Sequence, residues 1–516
     1  MHPRSQPSRV DSDVCLVLEG TYPYVSGGVS SWVHDIIGSL PELQFSLLHI
    51  GPKARAYGEP RYVLPANVTT LNELFCQSAD SSEGALRAEL ERSIRAVRRQ
   101  KSTTPSRTLA AIRRLHLETT VDDQLIADLA AADLSVEALL HGDEAFGVIR
   151  EIAHARAPGA PFLTFFWHFR SMHVPLLRLL GAPAPTASVY HSVSTGYAGV
   201  VAAVAAHRAS RPMLLTEHGI YARERDMELA RVTWDDTGGT GLAADPRLPA
   251  TTSQLRQLWS TFFARMSQIA YDRADSIVTL SDVNRRKQLE DGAAPAKISI
   301  VANGVDVDAL IAAAVPPTPR ETGGPIRIGF VGRVVPIKDV ITFIKACDLA
   351  LREVSIDVEI IGPAEEDSAY ALRCRELVEM LGRTTEIRFV GPRKLAEIYG
   401  KLDICVLTSF SEGQPLVILE AHAAGVPVIS SDVGACREML EGRDSEDREL
   451  GPSGIVTAVA APEETAAALV KLARSAALRR QMGQAGKARV RARYAKRQMI
   501  DSYRGYYTTL AAAAVT

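Results

Sequence analysis

The sequence predicts an α/β protein of two Rossmann-like halves, each built on a mostly parallel sheet. Short apolar runs of strand type alternate with segments of helical period, the alternation comes in two series, and a Pro/Gly-rich stretch separates the series. At 516 residues the chain is too long for one ordinary core, and two such domains absorb it.

Residues 1 to 12 read as a leader, positively charged but with no apolar stretch behind it, hence not a secretory signal. Val14 to Leu18 then reads as a strand, Glu19 to Gly28 as a loop, Val29 to Leu40 as a helix and Phe45 to Ile50 as a second strand. A Gly-rich loop after a parallel strand is where doubly wound sheets meet ligands, which makes Gly27 and Gly28 candidates. From about residue 78 to 151 the chain is charge-rich with helical segments such as Ala85 to Arg99 and Gln124 to Leu140, a helical insertion in the first domain. Strand-type runs resume at Phe162 to Trp167, Ala187 to His191, Met213 to Thr216, Ser276 to Leu280 and Ile298 to Val301. Thr195 to Ala206 and Leu255 to Asp272 read as helices between them. The first domain therefore covers residues 1–315.

Ala314 to Pro325 lacks periodicity and is rich in Pro and Gly, the composition of a linker. The second domain, residues 325–498, has strands at Ile326 to Val331, Asp357 to Ile361, Ile387 to Val390, Ile404 to Leu407 and Val426 to Ser430. Helical patterns lie between them at Asp339 to Glu353, Ala369 to Leu381, Lys394 to Lys401 and Pro415 to Ala424. Strands alternating with helices imply right-handed crossovers.

Composition narrows the function classes. The chain is 46% hydrophobic and 23% charged with net charge −2, as in soluble globular enzymes, and has no basic excess for nucleic acid. It holds no run of about 18 apolar residues, so the cytoplasm is expected. Its 6 cysteines have no Cys-x-x-Cys spacing that would suggest zinc or a disulfide framework. Asp306-Val-Asp308 has no third carboxylate at ligand spacing, so no metal is expected. The basic run Lys487 to Arg497 reads as a solvated helix face.

The chemistry concentrates in Ser409-Phe-Ser-Glu-Gly-Gln-Pro-Leu-Val-Ile-Leu-Glu-Ala-His-Ala-Ala-Gly-Val-Pro-Val-Ile-Ser430, a loop, a helix and a strand. Pro415 suits a first helical position, and Gly425 with Pro427 stops the helix. Glu412 then lies in the loop and Glu420 in the helix, on the order of 10 Å apart at 1.5 Å per residue. Such a pair can grip a nucleoside diphosphate sugar at both ends, sugar hydroxyls on one carboxylate and ribose on the other, with the diphosphate near the helix N-terminus. Arg333 and Lys338 follow the first strand of the second domain, where they can converge on that diphosphate. In the first domain, His218 ends an apolar strand beside Glu217, and His191 repeats the arrangement more weakly; either can meet a sugar hydroxyl.

Gly332-Arg333 with Lys338, the Glu412 to Glu420 spacing, Asn303-Gly-Val-Asp306 and His218-Gly219 together resemble the retaining GT-B glycosyltransferases of family GT4, most strongly over residues 325 to 460. Glu19 to Trp32, the helical insertion and Glu217 to Arg225 resemble more narrowly the PelF-type glycosyltransferases of bacterial Pel exopolysaccharide synthesis. The resemblance implies two domains facing across a cleft, with a final helix (about 499–516, from Met499) returning to the first domain. It implies Arg333 and Lys338 on the diphosphate, Glu420 on ribose, and Glu412 with the backbone of Gly413, Gln414, Pro415 and Leu416 on the sugar. It sets Arg393 against the base, Glu19 in the donor-side loop that Gly27 and Gly28 close, and His218 near the sugar or acceptor. It further implies a UDP-sugar donor, no metal, retention of configuration, a polysaccharide acceptor, and inner-membrane export proteins that recruit the enzyme.

Two other readings share the architecture. A UDP-sugar 2-epimerase would release UDP without a second sugar. A nucleotide-regulated, non-catalytic subunit of a membrane synthase would not turn the donor over, although the presence of Arg333, Lys338, Glu412 and Glu420 together argues against it.

Overall fold

The computed structural model describes residues 10–53, 56–77, 105–231, 249–313 and 324–513. The expected helix Ala85 to Arg99, most of the expected leader and residues 314–323 of the expected linker lie outside the described residues. The chain groups into two units: residues 1–279, 286–299 and 503–516 form unit 1, and residues 280–285 and 300–502 form unit 2.

Unit 1 is built on a seven-stranded sheet of β1 (Ser12–Glu19), β2 (Phe45–Gly51), β3 (Val68–Phe75), β4 (Ala187–Ser192), β5 (Met213–Glu217), β6 (Ser276–Thr279) and β7 (Ile298–Ile300), in the order β3-β2-β1-β4-β5-β6-β7. From β3 to β6 the strands pair in parallel. β2 is buried along its whole length, which is why its sequence is nearly all apolar. The edge strand β3, Val-Thr-Thr-Leu-Asn-Glu-Leu-Phe, is half exposed and polar, and the apolar-run reading did not find it.

Two expectations, one of a strand and one of a helix, change here. Phe162 to Trp167 is no strand but the start of the helix Phe162–Gly181, whose buried Phe165, Phe169, Met172, Leu176 and Leu179 recur every three or four residues. The aromatic run has β-propensity, and the longer periodicity overrides it. Gln124 to Leu140 is two helices: Asp123–Ala131 ends at Ala132, in the left-handed conformation at φ 45°, and Val136–His141 starts on a Ser135 cap. These helices, with Arg107–Leu117 and Asp143–Arg156, join the core of the sheet.

Unit 2 carries β8 (Ile326–Val331), β9 (Ile356–Ile361), β10 (Ile387–Gly391), β11 (Ile404–Leu407), β12 (Val428–Ser431) and β13 (Gly454–Thr457) in the order β10-β9-β8-β11-β12-β13, all parallel. β13 is an edge strand of four residues, too short to register as a run. The helix Ala476–Arg493 is anchored by Arg489, fully buried, whose guanidinium pairs with Asp447 at 2.6 Å and donates to Leu440 O, Ser453 Oγ, Asp447 O and Gly451 O. The last helix, Lys496–Ala513, belongs to unit 2 up to Ser502 and to unit 1 from Tyr503. In unit 1 its Tyr503 packs edge-on to Trp32 at 5.0 Å between centroids.

Candidate functional site

In unit 2 the strand order turns back between β8 and β11, and open parallel sheets bind ligands outside the carboxyl ends of such strands. The loops that leave those two ends carry the sequence-predicted charges. Thr408, just past β11, donates to the Lys338 and Asp339 carbonyls, and Phe410 N donates to Ile337 O at 2.8 Å, so the two loops are tied together. Lys338 Nζ thereby reaches Glu412 Oε1 at 2.5 Å, and Ser409 Oγ donates to the same oxygen at 2.6 Å. Both side chains of the pair are mostly buried, with 19% and 10% of their surface exposed. Ser409 is held in turn by Ser431 Oγ on its carbonyl at 2.7 Å.

Close backbone approach shapes this corner. A Cβ on Gly434, where φ is +51°, would stand 2.0 Å from Glu412 O. Gly413 O accepts Ala435 N at 2.9 Å, which fastens the same turn. Pro415 is the N-cap of helix Leu416–Ala424 rather than its first helical residue, and it offers no side-chain acceptor. Ile418 N turns back to Pro415 O at 3.1 Å, and the Leu416 and Val417 amides ahead of it are the donors an anion could use. The Gln414 side chain is buried, its Oε1 accepting Asn303 N at 2.5 Å. That contact joins the Asn303-Gly-Val-Asp306 turn to the site, while Asp306 caps the next helix through Ala309 N.

Glu420, one turn into the helix, accepts the Tyr399 hydroxyl at 2.8 Å. Burial pushes its carboxyl above the ordinary carboxylate range, and the Tyr399 hydrogen bond pulls it partly back. Arg333 is exposed and turned to Glu366, with Nη1 2.6 and 2.7 Å from the two carboxylate oxygens, so it is not joined to the Lys338–Glu412 pair. Arg393 is exposed in the loop after the edge strand β10. Among the described residues no group of three His, Cys, Asp or Glu side chains is placed to hold a metal ion.

Unit 1 repeats the topology with different chemistry. Its order turns back between β1 and β4, and Glu19 ends β1 there. Glu19 accepts Ala198 N, in the first turn of helix Tyr197–Ala209, at 3.2 Å and the Tyr221 hydroxyl at 3.4 Å. Burial raises its carboxyl too, against those hydrogen bonds and the charge of Arg225. Gly196 leaves no room for a Cβ, which would meet the Tyr221 ring at 2.5 Å and Glu19 Oε2 at 2.6 Å. Gly27 and Gly28 are exposed at the start of helix Gly28–Ser39.

His218 packs edge-on against Trp32 at 4.7 Å between centroids, and burial lowers its imidazole to about 4. His191, expected on the substrate, is fully buried with both nitrogens engaged: Nδ1 lies 2.8 Å from the Tyr507 hydroxyl and Nε2 2.9 Å from Thr216 Oγ1. It ties β4 to the last helix and has no nitrogen left for a sugar. Glu217 is likewise internal, accepting from Thr195, Tyr221 N, Tyr271 and Gln288. Ser409, Thr408 and Tyr399 are site residues that the sequence reading did not single out; Ser409 sits inside the quoted string, whereas Tyr399 carries no local signal.

Known proteins resemble this chain in sequence and in fold. The family described as "Domain of unknown function (DUF3492)" matches residues 12–296, and "Glycosyl transferases group 1" matches residues 325–475. D-inositol 3-phosphate glycosyltransferase of Rhodococcus erythropolis is 31% identical over 200 residues, 34% of this chain and 44% of the relative. That of Geodermatophilus obscurus is 31% identical over 260 residues, 46% of this chain and 53% of the relative. The chain thus spans about half the length of the curated relatives it matches. Sucrose-phosphate synthase from Thermosynechococcus elongatus superposes with TM-score 0.58 at 15% identity, over 97% of this chain and 100% of that one. Anabaena Alr3699/HepE in complex with UDP and glucose superposes with TM-score 0.57 at 14% identity, over 96% and 99%. At such identity the likeness is one of fold, two Rossmann-like parallel-sheet domains of GT-B type.

Proposed function

Because the chain belongs to the DUF3492 family and continues into a segment matching the glycosyl transferases group 1 family, we propose that it is a retaining glycosyltransferase of the GT4 kind. It moves a hexosyl or N-acetylhexosaminyl group from a UDP-sugar to a growing exopolysaccharide of Pel type. The observation that carries this reading is the Lys338–Glu412 pair at the switch point of unit 2, beside the uncapped helix start at Leu416. A GT-B-fold protein with UDP and glucose bound supports the choice of donor.

In this reading Lys338 binds the diphosphate, with Arg333 exchanging Glu366 for it, and the first amides of helix Leu416–Ala424 add to the anion's stabilisation. Glu412 accepts sugar hydroxyls and Glu420 those of ribose. The bond from the anomeric carbon to the phosphate oxygen breaks, and the acceptor oxygen bonds to the same face of that carbon. The acceptor proton passes to a phosphate oxygen of departing UDP. Lys338 and Arg333 offset the charge on the leaving group, and no step draws on a metal. His218, held neutral by burial at neutral pH, contacts the sugar or the acceptor. The acceptor chain and inner-membrane export proteins are the partners this reading implies, with the enzyme working from the cytoplasmic side.

The test is UDP release from UDP-glucose, UDP-N-acetylglucosamine and UDP-N-acetylgalactosamine, each with and without an acceptor oligosaccharide. Release that depends on the acceptor is expected. Release without any second sugar, together with a 2-epimer, would make the protein an epimerase, and the absence of UDP binding would end the reading.

A further inference from the structure

We propose that a tyrosine cluster on the ligand edge of the unit 1 sheet is a saccharide platform that holds hexose rings of the acceptor. The inference rests on the glycosyltransferase reading above. Tyr22 and Tyr24 come from the loop after β1, Tyr57 and Tyr62 from the loop after β2, so all four gather at the carboxyl ends of neighbouring parallel strands. Tyr24 and Tyr57 are stacked, centroids 5.9 Å apart at 15°, and Tyr22 packs on Tyr62 at 5.1 Å. Arg61 N donates to Pro23 O at 2.9 Å and joins the two loops.

Tyr22 is buried, whereas Tyr24, Tyr57 and Tyr62 each keep part of their surface exposed. A ring face with a hydroxyl at its rim matches a pyranose, which has an apolar C–H face and hydroxyls around its edge. Glu73 on β3 lies near the Tyr24 hydroxyl and offers an acceptor for sugar hydroxyls.

An independent observation separates a binding platform from simple loop packing. His49 is fully buried beneath the cluster, edge-on to Tyr24 at 4.9 Å and to Tyr57 at 5.7 Å. Its Nδ1 lies 3.1 Å from Tyr22 O, whereas its Nε2 is buried with no hydrogen-bond partner among the described residues. With Nδ1 donating to that carbonyl, the neutral ring presents Nε2 as an acceptor, and burial favours the neutral form. A buried polar atom without a partner is costly, and a sugar hydroxyl that enters as the Tyr24 and Tyr57 rings part would supply the missing donor.

The experiment is saturation-transfer difference NMR on the full chain, without nucleotide, with maltotetraose, cellotetraose and chitotetraose as probes. At least one of the three is expected to receive saturation, and Tyr57→Ala to weaken its binding about fivefold. Tyr57→Phe, which keeps the ring, is expected to retain most of the signal. If Tyr57→Ala melts early, Tyr62→Ala serves in its place with the same expectation. Saturation of none of the three probes by the wild-type protein, or equal binding by the alanine variant, overturns the platform. UDP titrated into the same wild-type sample keeps the two readings apart. Oligosaccharide contact without UDP binding supports the platform and overturns the donor site, whereas UDP binding without oligosaccharide contact overturns the platform alone.

Discussion

Lys338 and Glu412, 74 residues apart in the chain, meet through a 2.5 Å contact at the switch point of the second sheet. The pair holds two flexible side chains together at the strand ends to which the proposed function assigns the diphosphate. Glu412 keeps the ammonium localised, and Ser409 donates to the same carboxylate oxygen and holds it in place.

Lys338→Ala is expected to lower UDP-sugar turnover on the order of 100- to 1000-fold, the loss seen when one preorganised charge stabiliser is removed. Steady-state UDP release reads this directly. Turnover at the wild-type rate would take Lys338 out of the leaving-group role.

Tyr399→Phe removes the hydroxyl that donates to Glu420. Glu420 must be ionised to accept ribose hydroxyls, and burial raises its pKa, so UDP affinity should be full near neutrality and fall as the pH drops through that raised value. The Tyr399 bond lowers the pKa, so the variant should lose affinity at a higher pH than wild type and bind UDP about 2- to 10-fold more weakly at neutral pH. Calorimetric titration over a pH series checks both, and an unmoved midpoint would dissociate Tyr399 from the ribose carboxylate.

Gly434→Ala adds a Cβ 2.0 Å from Glu412 O at a backbone with φ of +51°. The turn under Glu412 must shift, so UDP-sugar turnover should fall at least about tenfold while far-ultraviolet circular dichroism stays that of the wild type. A fully active variant would show that the placement of Glu412 is not critical.

Burial lowers His173 to about 4, His191 to about 3 and His422 to about 3, against an ordinary value of 6.5. A histidine with a depressed folded pKa binds fewer protons in the folded state, so its stabilising effect is full above about 6.5 and is lost as the pH falls below that value. At pH 5 each is expected to withdraw about 2 kcal/mol. Urea midpoints should therefore drop steeply between neutral pH and pH 5, and His191→Asn should flatten that dependence in unit 1.

Arg489→Ala leaves the Asp447 carboxylate buried without its partner, a loss of about 3–5 kcal/mol in comparable buried pairs. Unit 2 should unfold at markedly lower urea while unit 1 keeps its transition. A change below about 1 kcal/mol would mean that water reaches Asp447 in the variant.

The sequence announces most of this architecture, because strands buried on both faces read as unbroken apolar runs and their order in the chain dictates parallel pairing. β3 and β13 escape because edge strands are polar or short, and Phe162 to Trp167 misleads because six residues cannot show the helical period that twenty reveal. Around the site, Glu412, Glu420 and Lys338 stand out from their local strings. Their partners do not, since Tyr399 and Ser409 matter only through contacts that folding creates. His191 looks like a cleft residue at its strand end, and no local pattern tells that Tyr507, 316 residues on, will cover it.

Glu19 gives the repeated sheet topology a built-in polarity. Where unit 2 has the Lys338 ammonium, unit 1 has the Glu19 carboxylate, which takes the Ala198 amide of its helix start. Two sheets of one topology thus end in different chemistry at their switch points, and an anion at the start of helix Tyr197–Ala209 would have to displace Glu19 from Ala198 N first.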